Sequence, residues 1–304
     1  MDGNLAIRLK SIQKRYGTKV AVDDFDLSVP RATICGLLGP NGAGKTTTIR
    51  VMLDIIGADS GSVELLGLPP TPEARDRIGY LPEERGLYPK MKVLELLEFL
   101  GELKGTPRRV GRERARRWLQ RLELAEWADK KVQDLSRGMQ QKVQFIGTVL
   151  HEPELLILDE PFAGLDPLNI DLLKEIVLEE RNRGATVLFS THNMDQAERL
   201  CERVVMIKDA RKVLDGPLAE IKREAWLAGQ RQVLLAMEGG KGLLDDRSLV
   251  SAVEDRGVCS AVSLQPGVEP QQLLAAAVAA GAIVRQFQVS EPSLHEIFVA
   301  RARE

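Results

Sequence analysis

The stretch "GPNGAGKTT" (39–47) decides how the rest of the chain is read. It follows the apolar run "ATICGLL" (32–38), leads into a helix-forming run, and carries over 39–46 the spacing G-x-x-x-x-G-K-T of a phosphate-binding loop. Glycine at 39, 42 and 44 lets consecutive backbone N–H groups turn inward around an anion, and a helix beginning at Lys45 adds the positive end of its dipole. The loop residues Gly39, Asn41, Gly42, Ala43, Gly44, Lys45, Thr46 and Thr47 are therefore expected to hold the phosphates of a nucleotide. Lys45 is placed to reach the β- and γ-phosphates, and Thr46 to offer its hydroxyl to Mg²⁺.

Outward from this loop, the runs 32–39, 154–160 and 185–191 are short and nearly continuous in apolar residues, as expected of strands buried on both faces of a parallel sheet. Helices are expected over 45–56 and over 168–183, the latter closed by Gly184. Only helical periodicity runs through 87–150, in "VLELLEFLGELK", "RERARRWLQRLELAEW" and "MQQKVQFIGTVL", which predicts a helical subdomain inserted into the α/β core. The segments "IRLKSIQKRYG" (7–17) and "GSVELLG" (61–67) predict an antiparallel flank, and "VVMIKDARKVLDGP" (204–217) a hairpin. Beyond a helix-like, charged segment at 218–229, from about Gln230, a small separate α+β domain is expected. Its strands fall over 232–238, 258–265 and 282–289, and its helices over 246–257, 269–281 and 293–303. The domain boundaries are drawn at 1–221 and 222–304.

Two further sites of chemistry stand at the ends of strands. "LLILDEP" (155–161) closes with Asp159, placed to enter the Mg²⁺ shell, and Glu160, placed to orient a water for in-line attack on the γ-phosphate. "LFSTHNMDQAE" (188–198) closes its strand with His192, at the C-terminal edge where open α/β sheets bind ligands, within reach of the γ-phosphate or the attacking water.

Taken in order, these motifs resemble the ATP-binding subunits of ABC transporters, over about residues 5–221. Tyr16 in "KRYG" matches the aromatic that stacks on the base, 39–47 the Walker A loop, and "GYLPEERGLY" (79–88) the Q-loop, with Glu83 in place of glutamine. "LSRGMQQ" (135–141) matches the signature, 155–160 Walker B, "AGLDP" (163–167) the D-loop with Asp166, and His192 the switch histidine. The resemblance implies the P-loop NTPase fold of an ABC ATPase, ATP and Mg²⁺ as ligands, and hydrolysis coupled to transport. It also implies a head-to-tail sandwich of two such domains in which Ser136 and Gly138 of one subunit complete the ATP site of the other, and it counts Asp166 among the ATP-binding residues. The residues suit that role: Ser136 is a natural N-cap for the following helix, and Gly138 lets the backbone come close to an anion. Arg137 and Met139 replace the usual glycine and glutamine of the signature, and Glu83 supplies a carboxylate that can approach Mg²⁺ directly or through water. Together with the extra C-terminal domain ending "EPSLHEIFV", these departures resemble the subgroup of sodium-extrusion and multidrug or antibiotic export subunits, which drive a separate membrane permease. Such a subunit is cytoplasmic and attached to the inner face of the membrane through that permease, as a homodimer or a heterodimer.

The bulk of the sequence narrows the alternatives. A formal net charge of −2 over 304 residues gives no global field to draw nucleic acid or anionic lipid, and no nucleic-acid partner is expected. The longest uncharged apolar run, 273–284, is too short to span a bilayer, and "MDGNLAIRLK" has neither the basic start nor the apolar core of a secretory signal. Cys35, Cys201 and Cys259 lie far apart and are read as packing residues. The basic run "RRVGRERARR" (108–117) reads as a solvated helix face, with anionic lipid or the permease as the other partner open to it. A soluble ABC protein of the ribosome would resemble two such domains fused, and here a single G-x-x-x-x-G-K-[ST] occurs without an internal repeat. A repair ATPase would need long heptad arms between the Walker motifs, which are absent, and a nucleotide-sensing regulator would not need the Glu160–His192 pair. The C-terminal domain carries no catalytic cluster; dimer support, regulation or the sensing of a small ligand stay open for it.

Overall fold

The computed structural model describes residues 4–84, 86–228 and 232–301. Outside these lie Arg85 of the Q-loop-like stretch, Gln230 at the expected start of the second domain, the first three residues, and residues 302–303 of the last expected helix. The chain divides into two units, 1–215 and 216–304.

The first unit opens with two long strands, β1 (Leu5–Tyr16) and β2 (Lys19–Pro30), followed by β3 (Ile34–Leu38), α1 (Lys45–Met52) and β4 (Ser60–Leu65). Strands β2, β1 and β4 form the expected antiparallel flank, with β1 in the middle. Helix α2 (Pro72–Asp76) and β5 (Ile78–Leu81) lead into three helices, α3 (Val93–Leu103), α4 (Arg108–Arg121) and α5 (Arg137–Val149). After them come β6 (Leu155–Asp159), α6 (Pro167–Asn182), β7 (Thr186–Thr191), α7 (Met194–Leu200), β8 (Arg203–Lys208) and β9 (Arg211–Pro217). The main sheet has the order β5-β6-β7-β3-β8-β9, with β5, β6, β7, β3 and β8 mutually parallel.

Every residue of β3, β6 and β7 is buried, which is why their sequences lack the alternation of a one-faced strand. They feed one core with the inner faces of β1 and β2, in which Phe25, Leu37, Ile49, Ile157 and Leu188 are almost fully shielded. The register aligns Leu38 with Thr191 and Asp159 with Ser190, so β6, β7 and β3 end side by side at one edge. That edge is where a parallel sheet offers loop ends and helix N-termini to a ligand.

The first expected helix is one turn too long: α1 stops at Met52 rather than at 56. Asp54 takes a left-handed φ of 54°, and the N–H groups of Ile55 and Ile56 both return to the Arg50 carbonyl, which closes the helix. The basic run forms α4, whose buried stripe is Gly111, Ala115 and Leu119. Five of its arginines form ion pairs: Arg108 and Arg112 with the buried Glu98, Arg114 with Glu152, Arg117 with Glu113 and Arg121 with Glu179.

The expected hairpin at 204–217 is β8 and β9, adjacent in the sheet and joined by Asp209 and Ala210, both at positive φ, the turn that matches strand twist.

In the second unit, α8 (Leu218–Leu227) precedes β10 (Gln232–Glu238), β11 (Val250–Asp255), β12 (Ser260–Leu264), α9 (Pro270–Ala279), β13 (Ile283–Ser290) and α10 (Leu294–Arg301). Its antiparallel sheet has the order β11-β12-β10-β13, packed around Val233, Leu235, Val262, Leu264 and Leu273. The helix expected over 246–257 is a correction: half of it is strand β11, paired with β12. Leu249, Val250, Ala252 and Val253 imitate a helical face, but the side chain of Asp246 accepts from the Ser248 N–H and Gly257 turns at φ 80°. These turns bracket a short edge strand, whose exposure leaves little alternation to read.

Candidate functional site

The loop after β3 is held open by its glycines. A Cβ on Gly39 would lie 2.2 Å from the Ile207 carbonyl oxygen, and one on Gly44 2.3 Å from that of Ala21, both with positive φ. The backbone of β8 and β2 therefore packs against the loop where no side chain fits. The β8–β9 turn braces it as well, with the Ala210 N–H donating to the Ala43 carbonyl at 3.2 Å.

Lys45, the first residue of α1, is almost fully buried. Its ammonium donates to the Gly39 and Pro40 carbonyls at 2.8 and 3.3 Å and lies 3.6 Å from Glu160 Oε1. Glu160 follows β6, and its Oε1 stands 3.0 Å from His192 Nδ1, just beyond β7. Three adjacent strand ends thus bring a cation, a carboxylate and an imidazole together. Glu160 is in the left-handed region at φ 49°, uncommon for a residue with a side chain.

Asp159 is wholly buried. Its Oδ1 accepts from the Ser190 hydroxyl, and its Oδ2 has no hydrogen-bond partner. A buried carboxylate oxygen without a donor suits a cation, so these residues fit the magnesium ion implied by the motif. No group of three or more metal-binding side chains exists among the described residues.

A cleft of about 480 Å³ lies over the loop, lined by Tyr16, Asn41, Gly42, Gly44, Lys45, Thr46, Thr47, Glu83 and Glu160 from the expected set. Gly39 and Ala43 support the loop from behind without lining the cleft. Lys19 and Ala21 of β2 also line it and were not foreseen. Their place two strands from the loop in sequence carries no motif, and only the β1–β2 hairpin brings them there. Ser190 was likewise missed, although a buried serine at the end of an apolar strand was a usable signal.

Ser136, Gly138 and Asp166 do not line this cleft. Ser136 caps α5, its oxygen accepting from the Met139 N–H at 3.3 Å. Asp166 caps α6, and the N–H of Asn169, with its side-chain amide, holds the carboxyl below the usual range. Two glutamines of α5 reach the loops around the cleft. Gln144 donates to the Pro82 and Glu84 carbonyls on either side of Glu83 at 3.2 and 3.3 Å, and Gln141 to the Pro161 carbonyl at 3.4 Å. The signature helix is therefore tied to both carboxylate-bearing loops of its own cleft.

Residues 22–163 match the family model described as ABC transporter, and residues 216–302 that of the C-terminal domain of DrrA1-3-like ATP-binding proteins. Among curated relatives, the uncharacterized ABC transporter ATP-binding protein YhaQ of Bacillus subtilis is 41% identical over 296 residues, 97% of this chain and 98% of that protein. The Nod factor export ATP-binding protein I of Cupriavidus metallidurans is 38% identical over 218 residues, 71% of this chain and 72% of that protein. A solved ATP-binding subunit of an ABC transporter superposes with a TM-score of 0.69 at 32% identity, covering 74% of this chain and 95% of that one.

Proposed function

Because the chain belongs to the ATP-binding proteins of ABC transporters, and is thus an ATPase, we propose that it hydrolyses Mg·ATP between two copies of its first unit and drives a membrane permease as an exporter. The observation that carries this reading is the meeting of Lys45, Glu160 and His192 above the glycine loop, at the ends of three neighbouring strands. Tyr16 stacks on the base at the exposed rim of the cleft, and Gly42, Gly44, Thr46 and Thr47 receive the phosphates. Lys45 exchanges the loop carbonyls for phosphate oxygens. Thr46 and Asp159, with Glu83 at the cleft wall, hold the magnesium ion, which when bound neutralises phosphate charge. Glu160 accepts the proton of the attacking water, and His192, hydrogen-bonded to it, keeps that carboxylate turned toward the γ-phosphate.

Ser136 and Gly138 are set apart from this cleft on a capped helix N-terminus, which supports their use on the nucleotide of the opposing subunit, with Asp166 beside them at the dimer interface. The Glu83 loop and the α3–α5 subdomain carry the closing motion to the permease. No helix among the described residues is long and apolar enough to cross a membrane. The protein acts on the cytoplasmic face. Residues 216–304, of which 216–302 match the DrrA-like domain, serve as the accessory domain that supports or regulates the dimer.

Light scattering of purified Glu160→Gln protein tests this, with and without Mg·ATP. A shift from monomer to dimer on adding Mg·ATP is expected. A monomer throughout, with ATP binding verified separately, overturns homodimeric closure.

A further inference from the structure

Asp159, the last residue of β6, and Glu160, which follows it, share one hydroxyl. Ser190 Oγ–H donates to Asp159 Oδ1, and the same oxygen accepts the Glu160 N–H at 3.1 Å, a donor also shared with the Ser190 carbonyl at 3.3 Å. Ser190 is fully buried in β7, directly opposite Asp159 in the register. One small side chain thus meets both residues assigned to metal and to water. Its donor occupies one oxygen of Asp159 and leaves the other, Oδ2, as the buried atom without a partner. Its acceptor engages the N–H of a residue whose φ of 49° needs outside support.

We propose that Ser190 is a positioning residue of the reaction: it turns Asp159 so that Oδ2 faces the metal, and it holds the Glu160 backbone in the conformation that aims its carboxylate between Lys45 and His192. The inference rests on the assignment of Asp159 to Mg²⁺. A hydrogen bond to one oxygen of a carboxylate fixes the direction in which the other points, and loss of a ligand-orienting partner of this kind typically costs about 10- to 100-fold in metal affinity. An alanine at 190 leaves Asp159 buried with neither oxygen hydrogen-bonded, free to rotate, while ATP contacts made by the loop stay in place.

The test uses the full-length protein with Mn²⁺ as probe. Mn²⁺ is titrated by electron paramagnetic resonance into protein loaded with a non-hydrolysable ATP analogue, with protein in excess, for the parent, Ser190→Ala, Ser190→Cys and Asp159→Ala forms. Binding of a fluorescent ATP analogue in EDTA is measured in parallel. Ser190→Ala is expected to weaken Mn²⁺ by about 10- to 100-fold, to leave metal-free nucleotide binding within about twofold, and to raise the Mg²⁺ concentration for half-maximal turnover. A purely structural role would instead weaken nucleotide binding in EDTA as well, and that result overturns the proposal. Ser190→Cys, close in shape with a weak donor, is expected to fall between parent and alanine, and it carries the test should the alanine form not fold. Unchanged Mn²⁺ binding in the Ser190 variants, with Asp159→Ala weakened, also overturns it. Unchanged binding in Asp159→Ala rejects the metal assignment beneath it.

Discussion

Lys45 is the residue on which two demands meet, since its ammonium serves the loop carbonyls and lies within 3.6 Å of Glu160. A charged hydrogen-bond donor removed from a buried site is worth about 1.5–3 kcal/mol, so Lys45→Ala is expected to weaken ATP binding by about 10- to 100-fold, measured by calorimetry. Near-parent affinity would remove Lys45 from the phosphate site. Glu160→Gln keeps the shape and the His192 contact but cannot take a proton. It is expected to bind ATP normally and to lose about 10²- to 10⁴-fold in turnover. A steady-state assay returning parent turnover would take the base role from Glu160. Both residues were legible from the sequence because the glycine spacing and the strand-ending acidic pair have few other uses. Ser190 was not, because a serine in a strand has many.

At the scale of elements, α5 is the connecting piece. Its N-terminus is the capped signature, and farther along the helix Gln144 grips the Glu83 loop through two carbonyls while its own Oε1 stays buried without a partner. Gln144→Leu removes two hydrogen bonds and one orphan acceptor together, two changes of opposite sign for stability. The melting temperature is therefore expected to move by only a few degrees. The KM for Mg·ATP is expected to rise by roughly 3- to 10-fold as the Glu83 loop loosens. An unchanged KM would mean that this loop is held by other contacts. Helical periodicity announced α5 itself, but not what its polar face grips. Pro82 and Glu84 lie sixty residues away and meet Gln144 only after β5 and α5 have packed.

For the whole molecule, His151 links pH to stability. Burial pushes its imidazole down to about 4, with one ring nitrogen on the Ile78 carbonyl and the other without a partner. The unfolded chain binds a proton there below about 6.5 whereas the folded chain does not until about 4, so stability falls as pH drops through that window. Urea midpoints at pH 7 and pH 5 are expected to differ less in His151→Gln than in the parent; an equal drop would mean that other groups drive the loss. The sequence by itself determined the α/β core, the inserted helices, the antiparallel flank and the glycine loop between β3 and α1, because burial on both strand faces and a glycine-lysine loop each leave a pattern in adjacent residues. It misread 246–257, where an edge strand with one buried valine has too little alternation to tell from a helix. Only the tertiary structure decided that Lys19, Ala21 and Glu83 share a cleft, that Ser190 joins Asp159 to Glu160, and that Ser136 stands apart from that cleft. These follow from strand order and register, which bring together residues that the chain separates by tens of positions, and no local spacing records that approach.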